Sequence, residues 1–256
     1  FAANCITHIE DIKDAFRALA EIVSDDGVIV LEEPWLYRVM NSVAYDQIYF
    51  EHSYIFSASS VSRLAESVGL HLQLVDTLDY IHGGSLRYYL GKSKLESFDN
   101  TSRRVSKVRV DQILEFEKTY GLTTISKFHE FADKAEQSKV DLKKLICQIN
   151  DEPNNNIIGY GATAKSVTVF NYCGLVDYGK YKISCITDTT EAKQGKFSPG
   201  SGIRIVPPLD LGSSDSTVTH AFLGAWNFGP SIMSREQDFV NRGGKFITHV
   251  PEVKVL

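Results

Sequence analysis

Residues 157–165 constrain the fold most, because a short apolar run passes directly into a glycine-rich turn and then into a helical pattern. The turn Gly159-Tyr160-Gly161-Ala162-Thr163-Ala164 has the G-x-G-x-x-A spacing that lets backbone N–H groups at a helix start approach a phosphate. Apolar runs at 182–188, 203–206, 219–225 and 245–248 predict further strands, and the patterns near 163–173 and 230–241 predict helices. This alternation predicts a small Rossmann-like domain over residues 151–256.

A second alternating pattern covers residues 1–92. Thr7-His8-Ile9-Glu10 has the form of a capping box and predicts a helix over about 9–23, and the run at 28–32 predicts a buried parallel strand that Pro34 ends. A helix is predicted at 59–68, and strands at 70–78 and 86–90 are joined by a turn at His82-Gly83-Gly84. This α/β order matches the C-terminal half of a class I methyltransferase sheet, although other doubly wound folds share its earlier elements.

Residues 93–150 are rich in charged side chains, with apolar residues at helical spacing. The pattern predicts a helical connector between the two domains. We interpret its charges as a solvated face without a function. The polar segment 151–156 is typical of a domain boundary.

Composition excludes several classes of function. The net charge is -5, with 27 Lys and Arg against 32 Asp and Glu, which provides no electrostatic reason to expect nucleic acid as a partner. The 4 cysteines form no CxxC pair, so neither a zinc site nor a disulfide framework is predicted, and no apolar stretch is long enough for a membrane span. We expect a cytoplasmic protein without a bound metal. Its opening residues resemble the end of a strand and indicate a piece of a longer enzyme.

The densest group of polar, titratable residues lies at 45–54, after the predicted strand at 28–32. Tyr49, Glu51 and His52 combine a hydrogen-bond donor for an oxyanion, an orienting carboxylate and a base that works near neutral pH. His8 is predicted at the same edge of the sheet, where open α/β folds bind ligands. The alternative is a hydrogen-bonded polar loop with a structural histidine.

Lysines accompany the glycine-rich turn. Lys165 follows it directly, and the loop at 193–200 contributes Lys193 and Lys196. Because parallel pairing brings turn and loop to one edge of the sheet, we expect both to face a diphosphate. The alternatives are tight strand-to-helix packing for the glycines and an ordinary solvated loop for the lysines. Asp188, at the end of the next predicted strand, fits either a ribose-binding acid or a turn cap.

Five blocks in order resemble the C-methyltransferases of deoxysugar biosynthesis, which methylate a carbon next to the ketone of a nucleotide-linked keto-sugar. The blocks are Ala3-Asn4-Cys5-Ile6-Thr7-His8-Ile9, Tyr45-Asp46-Gln47-Ile48-Tyr49-Phe50-Glu51-His52, Gly83-Gly84-Ser85-Leu86-Arg87, Gly159-Tyr160-Gly161-Ala162-Thr163-Ala164-Lys165 and Lys193-Gln194-Gly195-Lys196-Phe197-Ser198-Pro199-Gly200. The resemblance covers essentially the whole chain. It implies a three-part enzyme with a zinc-binding region, a central class I methyltransferase domain and a C-terminal Rossmann-like domain. We expect this sequence to lack the first part and the glycine-rich cofactor turn.

The resemblance also implies roles for single residues. His52 would be the base that removes the proton next to the ketone, and Tyr49 and His8 would stabilise the enolate oxygen. Glu51 would orient the site, and Asn4 would lie beside the methyl donor, S-adenosylmethionine. The nucleotide-diphosphate sugar would bind at the other matched positions, which are Gly159, Gly161, Lys165, Lys193, Lys196 and Arg87.

Two other functions are open. The turn at 159–165 also fits an NAD-dependent oxidoreductase. Against this reading, no clear catalytic pair follows the turn. A dinucleotide also does not require a lysine at position 165, whereas a terminal or bridging phosphate would be well matched by one. A non-catalytic nucleotide-sugar-binding fragment is the second alternative. The sequence leaves open the sugar, the ring carbon, the nucleotide and the oligomeric state.

Overall fold

The computed structural model describes residues 1–79, 83–93 and 100–256, without the side chains of 100–109. It divides into two compact units. Unit 1 comprises Phe1–Asn41 and Phe50–Phe131, and unit 2 comprises Ser42–Tyr49 and Ala132–Leu256. Each unit has its own sheet, so the predicted α/β class is confirmed. The predicted boundaries near 92 and 150 stay a prediction, and His82 lies outside the described residues.

Unit 1 is built on a four-stranded mixed sheet. Its strands are β1 (Ala2–Ala3), β2 (Ile29–Pro34), β3 (His71–Leu78) and β4 (Ser85–Gly91), and its helices are α1 (Ile12–Ile22), α2 (Leu36–Asn41), α3 (Ala58–Glu66) and α4 (Asn100–Tyr120). The strand order is β1-β2-β4-β3. β1 and β2 are parallel, whereas β4 is antiparallel to both β2 and β3. The predicted antiparallel hairpin is therefore confirmed, and α5 (Ile125–Asn150) continues the chain into unit 2.

The first helix starts later than the sequence pattern predicts. α1 begins at Ile12, and the side chain of Asp11 caps it by accepting a hydrogen bond from Asp14 N at 2.9 Å. The predicted capping box at Thr7 is wrong, because Thr7 lies in a 3-10 helix and its hydroxyl donates to the backbone oxygen of Tyr54. A contact to a distant part of the chain therefore decides where this helix begins.

Glu117 corrects the interpretation of the charged helices as solvated throughout. Its side chain is fully buried, and Oε1 accepts hydrogen bonds from Trp35 Nε1 at 2.8 Å and Ala58 N at 2.7 Å. Oε2 accepts from Ser59 N at 2.8 Å. The carboxylate thus satisfies N–H groups at the start of α3, where the helix dipole also favours a negative charge.

Unit 2 is built on a six-stranded sheet. Its strands are β5 (Ile157–Tyr160), β6 (Ile186–Thr187), β7 (Ile205–Val206), β8 (His220–Leu223), β9 (Lys245–Thr248) and β10 (Lys254–Val255), and its other helices are α6 (Ala164–Cys173), α7 (Gly229–Arg235) and α8 (Gln237–Asn241). The order is β10-β9-β8-β5-β6-β7, with all pairs parallel except β10 with β9. The chain order reverses between β5 and β8, and ligands of open α/β sheets bind at such a switch point.

Two predicted elements of unit 2 differ most from the structure. The strand at 182–188 is reduced to β6, and a 3-10 helix at Gly179–Tyr181 lies before it. The helix at 230–241 is two helices, α7 and α8, separated at Glu236, whose carboxylate accepts a hydrogen bond from the Tyr160 hydroxyl at 2.6 Å. Among the described residues, no helix has both the length and the apolar character that a membrane crossing requires.

Candidate functional site

The turn after β1 in unit 1 is shaped by a buried carboxylate. Asn4 has a left-handed backbone with φ 51°, and Glu33 Oε1 then accepts hydrogen bonds from Cys5 N at 3.1 Å and Ile6 N at 2.8 Å. Glu33 is only 1% exposed. Burial raises the pKa of Glu33, although the backbone N–H groups of the turn oppose this shift. Glu33 was not predicted as a site residue, and its one signal in the sequence is that of an acid within an apolar strand.

This turn brings His8 next to His52 of the same unit. The ring centroids are 5.1 Å apart and the rings meet edge to face. His8 Nδ1 lies 2.8 Å from the backbone oxygen of Glu51, and Ser53 N donates to Thr7 O at 3.0 Å. Because a carbonyl oxygen only accepts, Nδ1 of His8 carries a proton and Nε2 is the acceptor of the neutral ring. Two predicted site residues are thus brought together.

Asn4 and Arg87 of unit 1 differ in how their polar atoms are used. Asn4 Oδ1 is buried and accepts no hydrogen bond within the part of the chain that the structure describes. Arg87 donates from Nε at 3.1 Å and from Nη2 at 2.7 Å to Glu32 Oε2 across the β2–β4 pair. These hydrogen bonds raise the pKa of Arg87. A predicted contact between Arg87 and the substrate stays a prediction.

A pocket of about 370 Å³ lies at the carboxyl ends of the unit 2 strands. Gly161 and Lys193 line it, together with threonine, apolar and acidic side chains; Lys165 and Lys196 are not among its lining residues. Gly161 has φ 93°, which favours glycine, and a Cβ on Gly224 would lie 2.4 Å from Gly161 O. Two glycines therefore permit the close approach of the loops after β5 and β8. Gly159 packs instead, because a Cβ there would meet Ile186 Cγ1 at 3.0 Å.

Asp188 connects two sides of this pocket. Its carboxylate accepts hydrogen bonds from Ala162 N at 2.7 Å and Thr190 N at 2.8 Å, which is the role of a turn cap. Lys193 Nζ donates to Ala162 O at 2.8 Å and lies 3.9 Å from Asp188 Oδ2. Burial alone would raise the pKa of Asp188, but the hydrogen bonds from Thr190 and Ala162 and the charge of Lys193 outweigh it, and the pKa is lowered.

Comparison with known proteins identifies the family. Residues 80–251 match the C-methyltransferase C-terminal domain family. The chain belongs to this family. C-methyltransferase NovU from Streptomyces niveus is 31% identical over all 256 residues, and the chain spans 58% of the length of NovU. The predicted resemblance to C-methyltransferases and the predicted fold class are confirmed.

Further polar residues of unit 2 were not predicted from the sequence. In unit 2, Asp46 and His249 are buried side by side beneath Trp226. Lys165 lies in the same region, with its Nζ 5.9 Å from the centre of the Tyr49 ring. Burial lowers the pKa of Lys165, and the charge of Asp46 acts in the opposite direction. No spacing in the sequence joins these residues, because they come from four separate segments.

Proposed function

We propose that the protein containing this chain transfers a methyl group from S-adenosylmethionine to the carbon next to the ketone of a nucleotide-linked keto-sugar. The observation that carries this proposal is the His8–His52 pair, with ring centroids 5.1 Å apart. Membership of the C-methyltransferase C-terminal domain family supports the reaction class. A carbon nucleophile requires removal of a proton, and imidazole is the side chain that does this best near neutral pH.

His52 is the proposed base. It takes the proton from the carbon next to the ketone, and the electrons of the broken C–H bond move into the carbonyl group, whose oxygen becomes an enolate. His8 presents Nε2 to the substrate, since its Nδ1 is bonded to the backbone oxygen of Glu51. In the protonated ring Nε2 donates a hydrogen bond to the enolate oxygen. Glu51 thus orients His8 through its main chain.

Tyr49 is proposed as a second donor to the enolate oxygen. A fixed donor aimed at a developing negative charge lowers the barrier more than it strengthens substrate binding, because the charge exists only after proton removal. Tyr49 is partly buried and its ring lies near Lys165. A neighbouring positive charge is attracted to the electron-rich face of an aromatic ring, and this attraction restricts the orientation of the Tyr49 ring.

Asn4 fits a role in holding S-adenosylmethionine. Its Oδ1 is a buried acceptor that has no partner among the described residues, and a donor group of a bound ligand would satisfy it. The left-handed backbone of Asn4 follows β1, at the edge where α/β sheets bind ligands. When bound, S-adenosylmethionine supplies an electrophilic methyl group.

The nucleotide part of the substrate is proposed to bind in the pocket of unit 2. Gly161 and Lys193 line this pocket, and the lysine faces Asp188. Arg235 donates to the Tyr160 hydroxyl at 2.6 Å, and that hydroxyl donates to Glu236. The positive and negative charges of the wall are therefore balanced, and Lys193 is proposed to contact the diphosphate of the nucleotide. Phosphate contacts by Lys165 and Lys196 stay predictions.

Thermal unfolding with three ligands tests the proposal on the protein at its natural length. We expect adenosylhomocysteine and thymidine diphosphate each to raise the Tm, because a ligand at about 100 times its Kd stabilises the folded state by about 2.7 kcal/mol. Incubation with S-adenosylmethionine and a nucleotide-linked keto-sugar should add the mass of one CH₂ group to the sugar. A Tm increase with NAD alone would indicate an oxidoreductase, and an increase with thymidine diphosphate alone would indicate a non-catalytic binding module.

Two lysines of one loop provide the control for the nucleotide site. Lys193→Met should reduce the Tm increase caused by thymidine diphosphate, because Lys193 lines the pocket. Lys196→Met changes an exposed side chain outside that lining and should leave the increase unchanged. An equal reduction of the Tm increase in both variants would indicate that the binding site extends along the loop to Lys196.

A further inference from the structure

The polar motif at 45–52 is divided between the two units. Ser42–Tyr49 belongs to unit 2, whereas the chain from Phe50 onward, with Glu51 and His52, belongs to unit 1. Within the first part, a 3-10 helix at Tyr45–Gln47 is buried. Val43 has a left-handed backbone with φ 53°, which is unfavourable for a β-branched residue. Strain of this kind persists only where surrounding contacts hold a segment in place.

Asp46 makes a buried contact between this segment and the rest of unit 2. Its side chain is 0% exposed, and Oδ2 accepts a hydrogen bond from Trp226 Nε1 at 2.6 Å. His249 Nε2 lies 3.5 Å from the same oxygen, and His249 is 1% exposed. The His249 ring stacks on Phe222 at 5.6 Å and meets Tyr45 at 5.4 Å. Asp46 thereby joins the segment to the residues after β8 and β9.

Core stability alone does not account for this cluster. Asp46 Oδ1 and both ring nitrogens of His249 are buried and make no hydrogen bond within the part of the chain that the structure describes, so His249 packs against Asp46 without bonding to it. Apolar side chains of similar volume often stabilise a core as well as buried polar or charged groups do, or better. A buried carboxylate with unused hydrogen-bonding capacity therefore indicates a requirement for a fixed position rather than for stability.

Tyr49 is the candidate site residue that lies on the segment of Asp46. The two residues lie on one short segment, three positions apart in the sequence. Lys165 provides a second link, because Asp46 acts electrostatically on its ammonium group and Nζ lies 5.9 Å from the centre of the Tyr49 ring. Both links run within unit 2, so they do not depend on any contact of unit 1.

We propose that Asp46, bonded to Trp226 and packed against His249, is a positioning residue that fixes Tyr49 for donation to the substrate oxygen. This inference rests on the proposed role of Tyr49. The Asp46 side chain is fully buried, so we expect it to make no contact with the substrate. Its removal should therefore lower kcat through Tyr49 and leave the KM for the nucleotide-linked sugar nearly unchanged.

A double-mutant cycle on the protein at its natural length tests the inference. Asp46→Asn keeps an acceptor for Trp226 but removes the charge, and we expect kcat to fall about tenfold. Tyr49→Phe should lower kcat about a hundredfold, as loss of one oxyanion donor does. In the Tyr49→Phe background, Asp46→Asn should lower kcat further by less than about twofold, because the two residues act as one. Equal effects of Asp46→Asn in both backgrounds would overturn the proposal.

Hydrogen exchange separates a failure of this inference from a failure of the proposed function. In Asp46→Asn, and also in Trp226→Phe, the amides of Gln47 and Ile48 should exchange at least about tenfold faster, while that of Gly159 in β5 stays unchanged. Unchanged exchange of Gln47 and Ile48 would overturn the anchoring role. Faster exchange with normal activity of Tyr49→Phe would contradict the catalytic role of Tyr49 and retain the anchor.

Arg242→Met is the matched control. Arg242 donates from Nε to Leu211 O at 2.6 Å and from Nη2 to Val218 O at 2.6 Å, so it supports unit 2 without touching the segment of Asp46. The variant should destabilise unit 2 but leave kcat and the exchange of Gln47 and Ile48 unchanged. If Arg242→Met lowered kcat as much as Asp46→Asn does, the effect of Asp46→Asn would be explained by a general loss of stability, and the proposal would be overturned.

Discussion

Glu33 in unit 1 and Asp188 in unit 2 both lie near the carboxyl ends of strands, yet their pKa values shift in opposite directions. Burial raises the pKa of Glu33, whose Oε2 has no hydrogen-bond partner among the described residues. Hydrogen bonds from Thr190 and Ala162, together with the charge of Lys193, lower the pKa of Asp188 against the effect of burial. One edge therefore opposes a negative charge and the other stabilises it.

This difference matches the roles proposed for the two edges. In unit 2, Asp188 and Lys193 fix the walls of a pocket before a ligand arrives, which is the property of a preformed binding site. In unit 1, Glu33 orders the turn that carries Asn4 and His8 at a cost in stability. Such a cost is expected where side chains are arranged for chemistry rather than for folding.

The largest expected effect is that of Asp188→Asn in unit 2. The amide NH₂ would face the N–H of Ala162 or Thr190, so we expect a loss of about 1–3 kcal/mol in the free energy of unfolding at pH 7. Because the folded pKa of Asp188 is lowered, its contribution is present above the ordinary pKa of about 3.9 and is lost as the pH falls through the folded value. The loss in the free energy of unfolding is measured by denaturant unfolding, followed by Trp226 fluorescence in a Trp35→Phe background.

The control for this prediction is Asp210→Asn. Asp210 is exposed and accepts a hydrogen bond from Ser213 N at 3.1 Å. Its loss should cost less than that of Asp188, since an exposed N–H group finds water as a partner. Equal losses in the free energy of unfolding for Asp188→Asn and Asp210→Asn would show that Asp188 stabilises unit 2 no more than an exposed turn cap does.

A smaller effect of opposite sign is expected for Glu33→Gln in unit 1. The amide oxygen of the variant can still accept from Cys5 N and Ile6 N, and the buried charge is removed, so the free energy of unfolding at pH 7 should rise by roughly 1 kcal/mol. Because the folded pKa of Glu33 is raised, the wild type loses stability as the pH rises through that value. The gain of the variant should therefore disappear below about pH 4. Trp35 fluorescence in a Trp226→Phe background measures it.

Glu32→Gln provides the comparison on the neighbouring residue of β2. Glu32 is paired with Arg87, so its replacement should lower the stability of unit 1 by up to about 1 kcal/mol. Changes of opposite sign in the free energy of unfolding for Glu33→Gln and Glu32→Gln would show that the charge of Glu32 stabilises unit 1 through its partner, whereas the desolvated charge of Glu33 destabilises it. A loss of stability in Glu33→Gln at neutral pH would contradict the comparison between the two edges.

Local patterns predicted the elements well where short-range rules decide them. The bounds of β5 and β9 match the apolar runs at 157–160 and 245–248, and the glycine-rich turn leads into α6 as expected. The start of α1 was wrong because the Thr7 hydroxyl bonds to Tyr54 O instead of capping a helix. The burial of Glu117 was not predicted for the same reason, because its hydrogen-bond partners, which include Trp35 and Ala58, are far from it in the sequence.

The candidate site divides in the same way. Residue type and order pointed to His8 and His52, which the structure brings together. Glu33 and Asp46 were not predicted, because their partners are backbone or ring N–H groups that leave no mark on sequence spacing. The charged lysines were treated alike, but only Lys193 lines the pocket of unit 2, while Lys165 lies near Tyr49.

Deuterium exchange at the carbon next to the ketone of a nucleotide-linked keto-sugar tests the central claim most directly. With adenosylhomocysteine in place of the methyl donor, proton removal is observed without methyl transfer. We expect His52→Gln to slow this exchange at least about a hundredfold, as loss of a general base does. The control His129→Gln replaces an exposed histidine of α5 and should leave the rate unchanged. Exchange in folded His52→Gln within about twofold of the wild-type rate would contradict the account.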